Sequence, residues 1–283
     1  MSLIVTGASG HLGSLVVESL LERGVAPEQI VATGRRLDAL APFAARAVRT
    51  AELDYSRPET IDAVLSAGDT VLLVSGSEVG QRAAQHQNVI DAAVRAGAAR
   101  IVYTSAPHAT TSELVLAPEH KATEEAILAS GLPYTILRNN WYSENYADTI
   151  AQATATGFFI GSVGSGLVAS ASRKDYADAA AVALTSPDLA GSIFELSGDT
   201  AWDYTDLAAA ISTVAGREVE YRDLSPEEQA DALRGFGLDE GTIGFVVALD
   251  GNIRDGLLSE TSGDLSRLIG RPTTPLVDGL RAL

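Results

Sequence analysis

Short apolar runs recur through the first half of the chain, separated by longer stretches in which apolar positions return with the period of a helix. Runs at 1–6, 29–33, 70–74, 100–104 and 134–137, with a weaker one at 47–50, are rich in Val, Ile, Leu and Ala. They are too short and too apolar for half-exposed strands and predict strands buried on both faces. The intervening stretches predict helices over 12–23, 37–45, 58–67, 80–96 and 118–130, with Gly24 and Pro27 ending the first. Strands separated by helices imply an α/β fold, a Rossmann-type doubly wound parallel sheet with right-handed crossovers. The second half is less regular. Residues 157–171 predict two short strands around Gly164-Ser165-Gly166, and a helix is expected over 175–185. A strand at 192–196 is expected to rejoin the main sheet. Helices and a strand at 219–221 follow. The expected division is a dinucleotide-binding domain over 1–156, with 173–197 returning to it, and a smaller α+β C-terminal substrate-covering lobe over 157–172 and 198–283.

In an open parallel sheet, ligands bind beyond the carboxyl ends of the strands. The first such end reads Gly7-Ala8-Ser9-Gly10-His11-Leu12-Gly13. Gly7 lets the chain turn off the strand, Gly10 lets backbone approach a diphosphate, and Gly13 lets helix and strand pack closely. The diphosphate would rest on the N–H groups that open the helix, Ser9 to Gly13 included. The second end reads Gly34-Arg35-Arg36, where an acidic residue would signal NAD. A guanidinium there suits a 2′-phosphate, so NADP(H) is the expected cofactor; the alternative has both arginines solvating a helix and Asp38 serving the ribose. Asp54 and Tyr55 follow the third strand, where the adenine should lie, though Asp54 also suits a helix cap. The later ends are 75–78, 105–108 and 138–142.

The chain has 283 residues, 46% of them hydrophobic, enough for a large core. No stretch approaches the ~20 apolar residues of a membrane span. The chain opens on a strand without a basic leader and has no cysteine, so a cytoplasmic address is expected. A net charge of −17 with no basic patch excludes nucleic acid and anionic membranes as partners. The four histidines, His11, His86, His108 and His120, show no metal-ligand spacing, so no metal is expected.

Three segments carry a family resemblance: the turn at 6–13, which a whole superfamily shares, Ser75-Gly76-Ser77-Glu78-Val79-Gly80-Gln81-Arg82, and the far more restrictive Leu137-Arg138-Asn139-Asn140-Trp141-Tyr142-Ser143-Glu144-Asn145-Tyr146. With Gly198-Asp199-Thr200-Ala201-Trp202 and 268–274 they span nearly the whole chain. The sequence resembles the NmrA-like atypical short-chain dehydrogenases, and within them the type 2 NAD(P)H:quinone oxidoreductases and triphenylmethane reductases. The resemblance implies that residues 7–13 hold the diphosphate, Arg35 the 2′-phosphate, and Ser75, Gly76 and Ser77 pass under the nicotinamide-side ribose, with Thr104 and Ser105 ending the neighbouring strand. It also implies that Asn140, Trp141 and Tyr142 border the nicotinamide and the acceptor.

The chain departs from the wider superfamily at its Tyr-x-x-x-Lys pair. Aligned on Glu124, His120 stands where Lys is usual and Leu116 where Tyr is; aligned on Lys121, Ala117 replaces Tyr. Ketone reduction makes a strongly basic alkoxide and calls for a positioned acid. Hydride addition to a quinone makes a phenolate-like anion, its conjugate acid near 10 by analogy with tyrosine, which water can protonate later. The missing Tyr therefore favours an NADPH-dependent oxidoreductase passing hydride directly to a quinone or similar conjugated electrophile, without flavin or metal. An NADP(H) redox sensor without turnover, and a carbonyl, imine or ene reductase, remain the alternatives.

Candidate catalytic residues are His120, Asn140 and Tyr142. His120 could orient the ribose or supply a proton, or be a helix-surface residue; Asn140 could fix the carboxamide or the acceptor oxygen. His108, Trp141, Tyr142 and Tyr146 are the candidate pocket, with aromatic faces for stacking an acceptor. His86 is expected to pack or to meet a second subunit, which leaves a homodimer open.

Overall fold

The computed structural model describes residues 1–283. In chain order the strands are β1 (Leu3–Val5), β2 (Ile30–Gly34), β3 (Arg49–Glu52), β4 (Thr70–Leu73), β5 (Arg100–Ser105), β6 (Tyr134–Asn139), β7 (Phe158–Gly161), β8 (Ser192–Leu196) and β9 (Glu220–Asp223). The helices are α1 (His11–Glu22), α2 (Ala41–Ala44), α3 (Pro58–Asp62), α4 (Arg82–Ala96), α5 (Ala117–Ala129), α6 (Ala147–Thr156), α7 (Arg173–Thr185), α8 (Tyr204–Ala215), α9 (Pro226–Gly235), α10 (Glu240–Arg254), α11 (Asp264–Ile269) and α12 (Leu276–Arg281). The chain divides into two compact units: residues 1–110, 118–139 and 173–196, and residues 111–117, 140–172 and 197–283.

The first unit is a seven-stranded sheet in the order β3-β2-β1-β4-β5-β6-β8, every neighbouring pair parallel. The expected Rossmann-type sheet is therefore present, and 192–196 does rejoin it. The alternation of a strand, period two, sorts its side chains. Ile4, Val31, Val71, Leu73, Ile101, Tyr103 and Ile136 share one cluster with Ile61 of α3, Val89, Ile90 and Ala93 of α4, and Ile127 of α5. Each such aliphatic side chain contributes about 1.5–3 kcal/mol by leaving water. Elsewhere α1 packs on α7, where the buried Ser19 hydroxyl donates to Asp178 Oδ1 at 2.7 Å. Arg100, buried at the start of β5, donates to the terminal carbonyls of Ala183 and Leu184, and to that of Ser186, satisfying the end of α7.

The second unit pairs β7 with β9 in parallel. Its apolar centre is aromatic: Tyr146, Phe159, Trp202, Tyr204 and Tyr221 meet with ring centroids 5.2–6.4 Å apart.

Three local expectations are corrected. Helix 37–45 divides into a single 3₁₀ turn at Asp38–Leu40 and α2, because Pro42 lacks an N–H and fits only a first helical turn. Helix 58–67 stops at Asp62: Ser66 N–H is taken by the Asp69 carboxylate at 3.0 Å, and Gly68 turns left-handed. Only one strand forms in 157–171. A Cβ on Gly166 would lie 2.7 Å from the carbonyl carbon of Ile253, so that glycine serves close backbone packing on α10 instead of a hairpin.

Candidate active site

The turn from β1 into α1 leaves backbone donors facing outward. Gly7 adopts φ +61°, Ala8 N–H donates to Thr33 O at 2.7 Å, and Gly10 N–H donates to Gly7 O at 2.9 Å. Gly10 is the N-cap of α1 and no side chain caps it, so the first-turn N–H groups at His11, Leu12 and Gly13 are those an anion would take. A Cβ on Gly13 would sit 2.6 Å from the Gly7 carbonyl carbon, and one on Gly34 would sit 2.9 Å from Ser9 Cβ. Gly13 and Gly34 thus let helix and neighbouring strand close tightly on the turn, and the uncapped N–H groups of its first helical turn form a donor set that fits a diphosphate.

Gly34 ends β2 without a carboxylate, and Arg35 follows with its side chain 64% exposed. Its Nη1 donates to Glu78 Oε1 at 2.7 Å. Asp54 Oδ1 accepts from Ser56 N–H at 2.9 Å in a turn ahead of α3, whose N-cap is Arg57, so it does not cap that helix. The Tyr55 hydroxyl donates to Val74 O at 2.8 Å and contacts Thr6 Oγ1; burial pushes its acidity down, raising the pKa. Tyr55 therefore ties the ends of β1 and β4 together.

Residues 75–78, beyond β4, are clamped from α4 and α5. Gly76 N–H donates to His86 Nε2 at 2.9 Å, and Gly76 O accepts from Arg82 Nε at 2.7 Å. Because Nε2 accepts, the His86 proton sits on Nδ1, 3.0 Å from Thr123 Oγ1. Burial, then the Arg82 charge, pulls the His86 pKa down to about 3. Glu119 receives Arg82 Nη1 and Gly80 N–H, and Gln85 donates to Glu78. Ser75 N–H donates to Thr104 Oγ1 at 2.9 Å, joining this loop to the end of β5. His86 was expected to pack or face a subunit; its position as the acceptor for the loop was not legible, since a mid-helix His looks alike in either role.

His120 is 5% exposed, its Nδ1 2.7 Å from the Tyr103 hydroxyl. Burial, then the Arg82 charge, lowers its pKa to about 3, so at neutral pH the ring carries no extra proton to deliver. Ser105 donates to Glu124 Oε1 at 2.6 Å, facing inward. Glu124, with a side chain 0% exposed, is forked by Arg138: Nε to Oε1 at 2.9 Å and Nη2 to Oε2 at 2.7 Å. Arg138 Nη1 also donates to Glu195 Oε1 at 2.7 Å. The hydrogen bonds to Glu124 hold the Arg138 charge above its ordinary range, against burial.

In the second unit, Asn140 Oδ1 accepts from Trp141 N–H at 2.7 Å and its Nδ2 donates to Leu258 O at 3.2 Å. Trp141 and Tyr142 are half-buried, and Tyr142 bridges to Ala171. Tyr146 is corrected: at 5% exposure, edge-on to Trp202 at 5.3 Å, it belongs to the aromatic core of its unit and not to an open pocket. No helix is long and apolar enough to cross a membrane, and no cluster of three His, Asp or Glu side chains is placed to hold a metal.

Comparison with known proteins adds to this geometry. A family model described as NAD(P)H-binding matches residues 7–187. Quinone oxidoreductase 2 of Escherichia coli (strain K12) is 43% identical over 279 residues, 99% of this chain and 97% of that protein. The crystal structure of the NADPH-dependent quinone oxidoreductase from Escherichia coli complexed with NADPH superposes with a TM-score of 0.94, covering 100% of this chain and 99% of that one. Triphenylmethane reductase of Citrobacter sp. gives 0.93 at 34% identity, over 100% and 99% of the two chains.

Proposed function

This chain belongs to the NAD(P)H-binding family, and we propose that within it the protein is an NADPH-dependent oxidoreductase that passes hydride directly to a quinone or similar conjugated electrophile. The observation that carries the proposal is the glycine cradle at 7–13, opening onto an arginine where NAD-selective chains carry an acid, in a chain 43% identical to a quinone oxidoreductase over its whole length. NADPH supplies the hydride when bound; the protein binds, orients and shields. The N–H groups at His11, Leu12 and Gly13 hold the diphosphate. Arg35 leaves Glu78 for the 2′-phosphate. Ser75, Gly76 and Ser77, braced by His86 and Arg82, support the ribose beside the nicotinamide. Asn140, Trp141 and Tyr142 border the acceptor, with the half-buried rings as stacking faces. A reducing cofactor and the absence of cysteine suit work in the cytoplasm.

The experiment is a single turnover. Flavin-free protein loaded with NADPH and mixed with excess benzoquinone should yield one hydroquinone per bound NADPH, and NADPH deuterated at the transferring position should slow the step. Bound NADPH that survives the mixing would overturn the proposal.

A further inference from the structure

His108 stands three residues beyond β5, at the carboxyl end of the sheet, which also carries the glycine turn and the 75–78 loop. Its backbone lies in the left-handed region, φ +47°, where only one other non-glycine residue is found. Such a conformation costs about 1 kcal/mol or more in a residue with a Cβ and persists only when its surroundings impose it. Here one carboxylate does so twice. Glu195 Oε2 accepts from His108 N–H at 3.1 Å, and Glu195 Oε1 lies 3.3 Å from His108 Nδ1. That carboxylate is fixed in turn by Arg138 Nη1, while Arg138 Nη2 reaches Thr110 Oγ1 at 3.1 Å and Glu124. Glu195 from β8 thus engages His108 directly, with Arg138 of β6 and Glu124 of α5 behind it. Unlike His86 and His120, which are buried, the His108 side chain is 41% exposed and can meet a ligand.

We infer that His108 is the catalytic proton donor to the reduced acceptor, with Glu195 as its positioning residue. This assignment rests on the hydride-transfer reading. Hydride brings two electrons and one hydrogen to the quinone and leaves a hydroquinone monoanion. The imidazolium of His108, keeping Nδ1–H on Glu195, releases its Nε2 proton to the anionic oxygen; an O–H bond forms, an N–H bond breaks, and the neutral ring recovers a proton from water. An imidazolium is a stronger acid than a hydroquinone, so the transfer runs downhill.

Two measurements on the full chain test this. The first involves no turnover: 4-nitrophenol, a stand-in for the anionic product, is titrated with protein, with and without NADP⁺, at the pH where the free probe is half ionised. Wild type should bind it mainly as phenolate, read by absorbance. His108→Asn, which accepts a left-handed backbone and so preserves the fold, and Glu195→Gln should bind it with no such preference. The second is turnover with benzoquinone. His108→Asn should lower kcat about tenfold to a hundredfold, at and below the low end of general-acid effects. The KM for NADPH should stay within twofold, and the fall in kcat at high pH should disappear. Wild-type kcat and pH profile in His108→Asn, or no phenolate preference in the wild type, would overturn the inference. Quinone turnover unaffected by His108→Asn rejects it alone. Phenolate capture that depends on His108, in a protein that turns over no quinone, keeps the anion site and rejects the hydride-transfer reading.

Discussion

Replacing Arg35 by Ser should cost NADPH affinity and leave NADH affinity nearly unchanged. In the free protein Arg35 is paired with Glu78, both side chains well exposed at 64% and 39%, and an exposed pair of this kind contributes about 0–1 kcal/mol. A guanidinium on a phosphate dianion makes charge-assisted hydrogen bonds worth about 1.5–3 kcal/mol. The exchange of Glu78 for phosphate is thus favourable by about 0.5–3 kcal/mol, and at 1.4 kcal/mol per tenfold its loss weakens NADPH about twofold to 150-fold. Glu78→Gln removes the competitor and should tighten NADPH by up to about fivefold, the same exposed-pair energy read in the other direction. Cofactor fluorescence titrations with both nucleotides, repeated at high salt, measure these changes; the NADPH preference should shrink as salt screens the phosphate contact. Equal weakening of NADPH and NADH in Arg35→Ser, or none in either, would refute the assignment of Arg35 to the 2′-phosphate.

Gly13→Ala places a Cβ 2.6 Å from the Gly7 carbonyl carbon and 2.8 Å from Ala8 N, so the diphosphate turn must shift. Overpacking of about 1–3 kcal/mol exceeds the helix gain of about 1, so the melting temperature should fall and NADPH titration should show at least tenfold weaker binding. Arg138→Met strands the buried Glu124 carboxylate and should lower unfolding free energy in urea by about 3–5 kcal/mol, most of it recovered in the double variant with Glu124→Gln. His86 and His120 have folded-state pKa values held to about 3, below the unfolded value of about 6.5. Their stabilising contribution is therefore full above about 6.5 and is lost as pH falls toward about 3. By pH 5 each should have cost about 2 kcal/mol, so His86→Gln should show a shallower loss of melting temperature between pH 7 and 5 than the wild type.

The sheet was legible because a parallel strand covered on both faces reads as a largely apolar run, and runs such as Thr70–Leu73 recur between helical stretches. The glycine cradle was legible for the same kind of reason, since Gly13 admits no Cβ. What local patterning lacked were partners distant in the chain. Arg138 interrupts an apolar strand, which marks it as paired, but its partners stand 14 and 57 residues away and no periodicity names them. Tyr146 sits in a run of aromatic residues beyond a strand end, where a pocket wall and a core residue look alike; only its burial against Trp202 and Tyr204 separates them. His120 and His108 differ in the same way. Burial removes the charge of the first, and a carboxylate delivered from β8 engages the second.

Direct, NADPH-selective hydride transfer to a quinone by the protein alone can be measured without any variant. The measurement is the oxidation of NADPH and of NADH by flavin-free protein, with and without benzoquinone, corrected for the uncatalysed rate. Quinone-dependent oxidation should be much faster with NADPH than with NADH and should need no added flavin. Tight NADPH binding with no turnover across a broad panel of quinones would contradict it and would identify the protein as a reader of the NADP(H) state.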